Sequence, residues 1–201
     1  KTPAELAEIH KQIGLAHFQL NEMDAAVEHF REALNISLHN SLPTYESFYY
    51  FARSLFEINS TTMALEVIKK YSPQTIDAEW MWKILILKLE ILTDLEQFEE
   101  ALIVVDNAYR VTTNIDDSKK RALLQAICKK SRGLINYYEN EWNKSESAFL
   151  EAEKLFQNAG DAKGLAAIYN NLGSLAMLQG NWDKSETLVL KSLEYEKNRF
   201  S

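Results

Sequence analysis

Residues 165–195 read LAAIYNNLGSLAMLQGNWDKSETLVLKSLEY. Apolar and small residues fall on one helical face on either side of Gln179, Gly180 and Asn181. Leu172 and Gly173 precede the turn, and Trp182, Ser185, Val189 and Ser192 follow it at spacings of three and four. The stretch is a helical hairpin closed by Gly180.

The same anchors return along the whole chain when segments are aligned on their turns. Ile13 and Gly14 precede a turn at Asn21 and Glu22, followed by Ala26, Phe30 and Ala33. Phe51 and Ala52 precede a turn at 59–62, followed by Ala64 and Ile68, with Tyr71 where a second alanine is expected. Leu89 leads to Phe98, Ala101, Val105 and Ala108, and Gly133 leads to Trp142, Ser145, Phe149 and Ala152. Small residues in the first helix are expected to let the paired helices approach backbone to backbone, with aromatics filling the space between hairpins.

Small residue before the turn, aromatic after it, then small, large, small: this pattern resembles the tetratricopeptide repeat. The resemblance covers essentially the full chain. It implies an all-α, right-handed superhelical solenoid of about five antiparallel helix pairs, with repeats at about 3–39, 43–71, 77–113, 118–159 and 161–199. The second-helix anchors recur at 38, 37, 44 and 40 residues (Ala26, Ala64, Ala101, Ser145, Ser185). The usual period is roughly 34. Longer helices follow, and long-helix repeats resemble those of bacterial peptide-sensing regulators and of scaffolds of the kinesin light chain and Pins types.

Helices are predicted at 3–20, 24–39, 43–58, 61–71, 77–93, 97–112, 118–138, 142–158, from 161 to Gly180, and from 182 onward. Pro3 and Pro43 suit first helical turns, Ser72 and Pro73 end the second hairpin, Asp77 and 116–118 offer N-terminal caps, and Gly160 offers a left-handed cap. With only six Gly and three Pro in 201 residues, no linker interrupts the solenoid, and the chain is expected to be one domain. It begins without Met and ends at Phe200 and Ser201 within a helical pattern, so it is read as a piece of a longer protein.

The longest apolar run, 84–87, is far short of the roughly 18–20 residues of a membrane span. A single Cys128 excludes an internal disulfide framework, and the expected location is cytoplasmic. The net charge of −7 argues against nucleic acid as partner. Charge is uneven: 71–118 holds ten acidic and three basic residues, whereas 119–138 holds six basic and no acidic ones. That basic helix is expected to face the acidic turns of the third repeat or solvent; the alternative is attraction of an acidic partner, phosphate or RNA.

Nothing converges into chemistry. His10 and His17 lie seven apart at positions of large packing residues, whereas a helical zinc pair is four apart with further ligands nearby. They are read as packing residues, His29 and His39 as surface residues, and no metal or other cofactor is expected. Glu96, Glu99 and Glu100 beside Asp94 read as a solvated turn at a helix N-terminus. Cys128 has basic neighbours but no His or Cys partner, and no Gly-rich phosphate loop occurs, so no catalytic residue is assigned.

The resemblance places binding on a concave groove lined by first helices. It projects Lys11, Gln12 and Phe18; Tyr49, Tyr50, Arg53 and Phe56; Ile86 and Glu90; Lys130, Leu134 and Tyr137; and Asn170, Asn171 and Ser174 into that groove. The ligand-binding set is Lys11, Tyr49, Tyr50, Arg53, Glu90, Lys130, Tyr137, Asn170 and Asn171. Aromatics beside separated charges and amides suit a protein or peptide partner, and an amide side chain donates to and accepts from a peptide backbone at once. The carboxylate clamp of chaperone-binding relatives is not expected, because Leu15 follows Lys11 by four and Tyr50 stands where an asparagine is needed. The expected function is the sensory or partner-docking domain of a larger bacterial regulatory protein. The alternative is a constitutive scaffold or adaptor, self-associating through its terminal helices.

Overall fold

The computed structural model describes residues 1–71 and 77–197, apart from the Tyr71 side chain. The expectations placed on the Tyr71 side chain, Ser72, Pro73, Phe200 and Ser201 lie outside the described residues. Among the described residues there are ten α-helices and no strand: α1 Pro3–Gln19, α2 Met23–His39, α3 Tyr45–Glu57, α4 Thr61–Tyr71, α5 Ala78–Asp94, α6 Phe98–Val111, α7 Ser118–Tyr138, α8 Trp142–Ala159, α9 Ala162–Leu178 and α10 Trp182–Lys197. Residues 1–97 (α1–α5) and 98–201 (α6–α10) form two compact units.

Local chemistry sets the helix starts. Thr2 and Glu5 form a reciprocal capping box at α1, Asp77 accepts from the Trp80 amide at α5, and Asp117 accepts from Lys119 and Lys120 at α7. Pro3 occupies the first helical turn as predicted. Pro43 does not: α3 begins at Tyr45, after a Thr44 that makes no side-chain capping hydrogen bond. The sixth helix ends at Val111 and tightens into a 3-10 turn at Thr112–Asn114.

The five hairpin turns share one construction. The residue with positive φ is Asn21 (61°), Asn59 (59°), Glu96 (56°), Asn140 (61°) and Gly180 (74°) in turn. At each turn its amide donates three residues back, and the next amide donates five back, as in Asn21 to Phe18 and Glu22 to His17. This double bond satisfies the last carbonyls of the first helix and reverses the chain. The intervals between these five residues are those of the second-helix anchors.

At Gly173 an added Cβ would lie 3.4 Å from the Ser185 carbonyl, a close backbone approach as expected, whereas the other two anchor glycines meet rings. A Cβ at Gly14 would lie 2.8 Å from the Phe30 ring, and one at Gly133 would lie 2.5 Å from Phe149. Each glycine thus lets a fully buried aromatic of the second helix lie across the first. Ser145 and Ser192, standing where other repeats have alanine, donate to the carbonyls of Gly133 and Ala166. Phe149, Phe156, Ile168 and Tyr169 form the core of the second unit.

Candidate functional site

In the first unit, α1, α3 and α5 are the first helices of successive hairpins, and α3 lies beside both of the others. Their shared face gathers five of the projected residues: Lys11 on α1, Tyr49, Tyr50 and Arg53 on α3, and Glu90 on α5. Asp77, capping α5, fixes the turn that carries Trp80. The Trp80 ring lies 5.4 Å from Tyr45, 5.6 Å from Tyr49 and 6.4 Å from Tyr50 between centroids. Tyr50 stacks on Phe30 and meets the edge of Phe18. A cleft of roughly 410 Å³ opens here, lined by Phe18, Met23, Tyr49, Tyr50, Arg53, Glu57 and Lys83.

Two ion-pair groups bridge neighbouring first helices. Lys11 is bound by Glu46 at 2.5 Å and Glu8 at 2.9 Å. Arg53 is bound by Glu57 at 2.6 Å and by Glu90, and its guanidinium lies over Phe56. Burial alone would lower the Lys11 pKa, but Glu46 and Glu8 outweigh it and hold it above the ordinary lysine value. Arg53 behaves likewise, with Glu90 and Glu57 outweighing burial. Burial raises the Tyr49 hydroxyl, so it stays a neutral donor at physiological pH. Lys83 holds its ammonium 4.1 Å from the Trp80 ring centroid.

The other projected residues belong to the second unit. Lys130 and Tyr137 lie on α7 and Asn170 and Asn171 on α9, two adjacent first helices. Asn170 is exposed, and Lys130, Tyr137 and Asn171 are half-buried. Tyr137 meets Tyr138 edge-on. Leu134, projected into the groove, packs against the core of this unit instead.

Part of the positive charge of α7 is paired by acids of both of its neighbours. Arg132 pairs with Asp106 of α6, Lys129 pairs with Glu151 of α8 at 2.6 Å, and Arg121 donates to the Ile115 carbonyl. His29, read from the sequence as a surface residue, is half-buried against two other histidines. Its Nδ1 is 3.1 Å from that of His10 and its ring stacks on His17, because α1 and α2 pack with these three imidazoles between them. Among the described residues no three His, Cys, Asp or Glu side chains form a metal-binding group. No described helix is long and apolar enough to cross a membrane.

Sequence reading missed Tyr45, Trp80, Lys83 and Glu57. The repeat offsets carry a signal for one of them. Lys83 stands 37 residues after Glu46, the interval between the second and third anchors, so Glu8, Glu46 and Lys83 form a row one turn before the projected one.

Two stretches match family models described as tetratricopeptide repeat: residues 7–40, spanning α1 and α2, and residues 165–195, spanning α9 and α10. The chain carries a tetratricopeptide-repeat domain. Solved structures agree on the fold of this tetratricopeptide-repeat domain. BtubC from P. vanneervenii superposes with a TM-score of 0.74 at 15% identity, covering 99% of this chain and 83% of that one. A Rap protein complexed with competence and sporulation factor gives 0.66 at 17% identity, covering 98% of this chain but 56% of that one. YrrB, described as a TPR protein with an unusual peptide-binding site, gives 0.55 at 14%, covering 95% and 87%. No protein of curated function matches the sequence significantly.

Proposed function

We propose that this chain is a non-catalytic binding module: the partner-docking or sensory domain of a larger, cytoplasmic bacterial regulatory protein, which takes a protein or peptide on its first-helix faces. The observation that carries this reading is the aromatic cleft of the first unit, where Tyr49, Tyr50 and Phe18 line an opening flanked by Arg53 and Lys83. Aromatic rings supply contact area at low entropic cost, and flanking charges orient a chain laid across them. Exposed Asn170 and half-buried Asn171 on α9 offer backbone-matching amides in the second unit. The peptide-binding site named for YrrB and the complex formed by the Rap protein are consistent with such a use of this fold.

The test is affinity capture from a bacterial lysate by the immobilised chain, followed by titration of the captured partner. Tyr49→Ala and Asn170→Ala should each weaken binding about tenfold, the effect of losing one well-placed interface side chain. Undiminished affinity in both variants would sink the reading.

A further inference from the structure

The first-helix face of the first unit carries more carboxylates than cations. Lys11 sits between Glu8 and Glu46, and Arg53 between Glu57 and Glu90, so each cation is already doubly paired. The carboxylate side chains stay accessible, with 55% of Glu8, 38% of Glu46, 36% of Glu57 and 43% of Glu90 exposed, whereas the Lys11 and Arg53 side chains are only 17% and 28% exposed. What the solvent meets on this face is surplus negative charge. Even with Lys83 counted, carboxylates remain in excess.

Between the two groups lies the aromatic floor of Tyr45, Tyr49, Tyr50 and Trp80. That floor already holds a cation of its own chain, the Lys83 ammonium over Trp80. Ring faces attract cations, and carboxylates beside them strengthen the attraction. The spacing follows from α3. Glu46 and Arg53 are seven residues apart on one helix, about 10 Å along its axis at roughly 1.5 Å per residue. A peptide in the polyproline II conformation covers about 9 Å in three residues at roughly 3.1 Å each, and its three-residue turn brings side chains three apart back to one face.

Resting on the reading of this face as a peptide site, we propose that its ligand is a peptide with two basic side chains three residues apart and apolar residues between them. One basic group reaches Glu8 and Glu46, the other reaches Glu57 and Glu90, and the apolar residues lie on Tyr49 and Tyr50. Lys83 swings off Trp80 into solvent as the ligand enters.

The experiment uses the full chain and four fluorescein-labelled, end-blocked peptides: Gly-Lys-Leu-Phe-Lys-Gly, its variants with both lysines changed to glutamate or to serine, and a form with the two lysines adjacent. Fluorescence anisotropy should show the spaced dibasic peptide binding about tenfold tighter than the serine form, the size of a partly desolvated cation–π contact with its ion pair. High salt should narrow that gap. Glu57→Gln with Glu90→Gln should weaken it about tenfold, and Lys83→Gln should tighten it, with a retained cooperative melting transition as the check on folding. Equal or tighter binding of the glutamate peptide, or no binding of any peptide, overturns the proposal. Failure here with Tyr49→Ala still abolishing capture of the lysate partner would leave the peptide-site reading standing, whereas dibasic binding that survives Tyr49→Ala unchanged would count against both.

Discussion

Replacing Glu96 with glycine should stabilise the protein, because this is the one hairpin turn whose left-handed position is filled by neither Asn nor Gly. Its φ of 56° lies where an L side chain crowds its own backbone. That conformation costs a non-glycine residue roughly 1–2 kcal/mol. Glycine removes the cost but loses about 0.5–1 kcal/mol more backbone freedom on folding. The difference is a gain of about 0.5–1 kcal/mol. Glu96 is exposed, and the hydrogen bond its backbone N–H donates to the Thr93 carbonyl is kept by glycine, so nothing else is removed. For a chain of this size the gain corresponds to a rise of about 1–4 °C in the melting midpoint. Far-UV circular dichroism during thermal and urea unfolding reads it. Because residues 1–97 and 98–201 are separate compact units, any second transition should be fitted separately. Gly180→Ala is the mirror experiment, since Gly180 has φ 74° and nothing within 4 Å of an added Cβ, leaving backbone strain as its only effect. It should lose a similar amount. A fall in stability for Glu96→Gly, or no loss for Gly180→Ala, would refute the reasoning.

Gly133→Ala should destabilise, because its Cβ would stand 2.5 Å from two ring atoms of the fully buried Phe149; overpacking of about 1–3 kcal/mol outweighs the helix-propensity gain of about 1 kcal/mol. Urea unfolding should show it less stable than Gly14→Ala, where the closest approach to Phe30 is 2.8 Å. His29 should make stability pH-dependent. Burial, then the neighbouring His10 and His17, lower the His29 pKa below its ordinary 6.5, with Glu28 opposing. The unfolded chain therefore binds more protons than the folded one, so stability is full above about pH 6.5 and falls as pH drops through and below that value. Melting midpoints measured across this range should flatten in His29→Gln.

Much of the fold is legible in the sequence because its signals are local. The turn residues Asn21, Asn59, Asn140 and Gly180 announce themselves by their tolerance of positive φ, and Asp77, Asp117 and Gly160 mark helix ends by the bonds or conformations they supply. Pro43 misled because proline suits the first turn of a helix and the residues before one alike, and here it precedes α3. The candidate site is only half legible. The resemblance to the repeat family projects Tyr49, Tyr50, Arg53 and Glu90 to one face, where first helices stand side by side. Trp80 and Tyr45 escape that reasoning because they sit near helix starts, where long side chains reach across to a neighbouring helix.

What the sequence by itself determined is the repeat: helical hairpins, their turns and their small-residue anchors, each set by interactions within about forty residues. What the tertiary structure decided is pairing. It brought His29 of α2 against His10 and His17 of α1, set Glu46 on Lys11 and Glu90 on Arg53 across 35 and 37 residues, and joined the basic α7 to acids on both sides. These contacts depend on rotation about helix axes and on the reach of long side chains, and a one-dimensional period fixes neither.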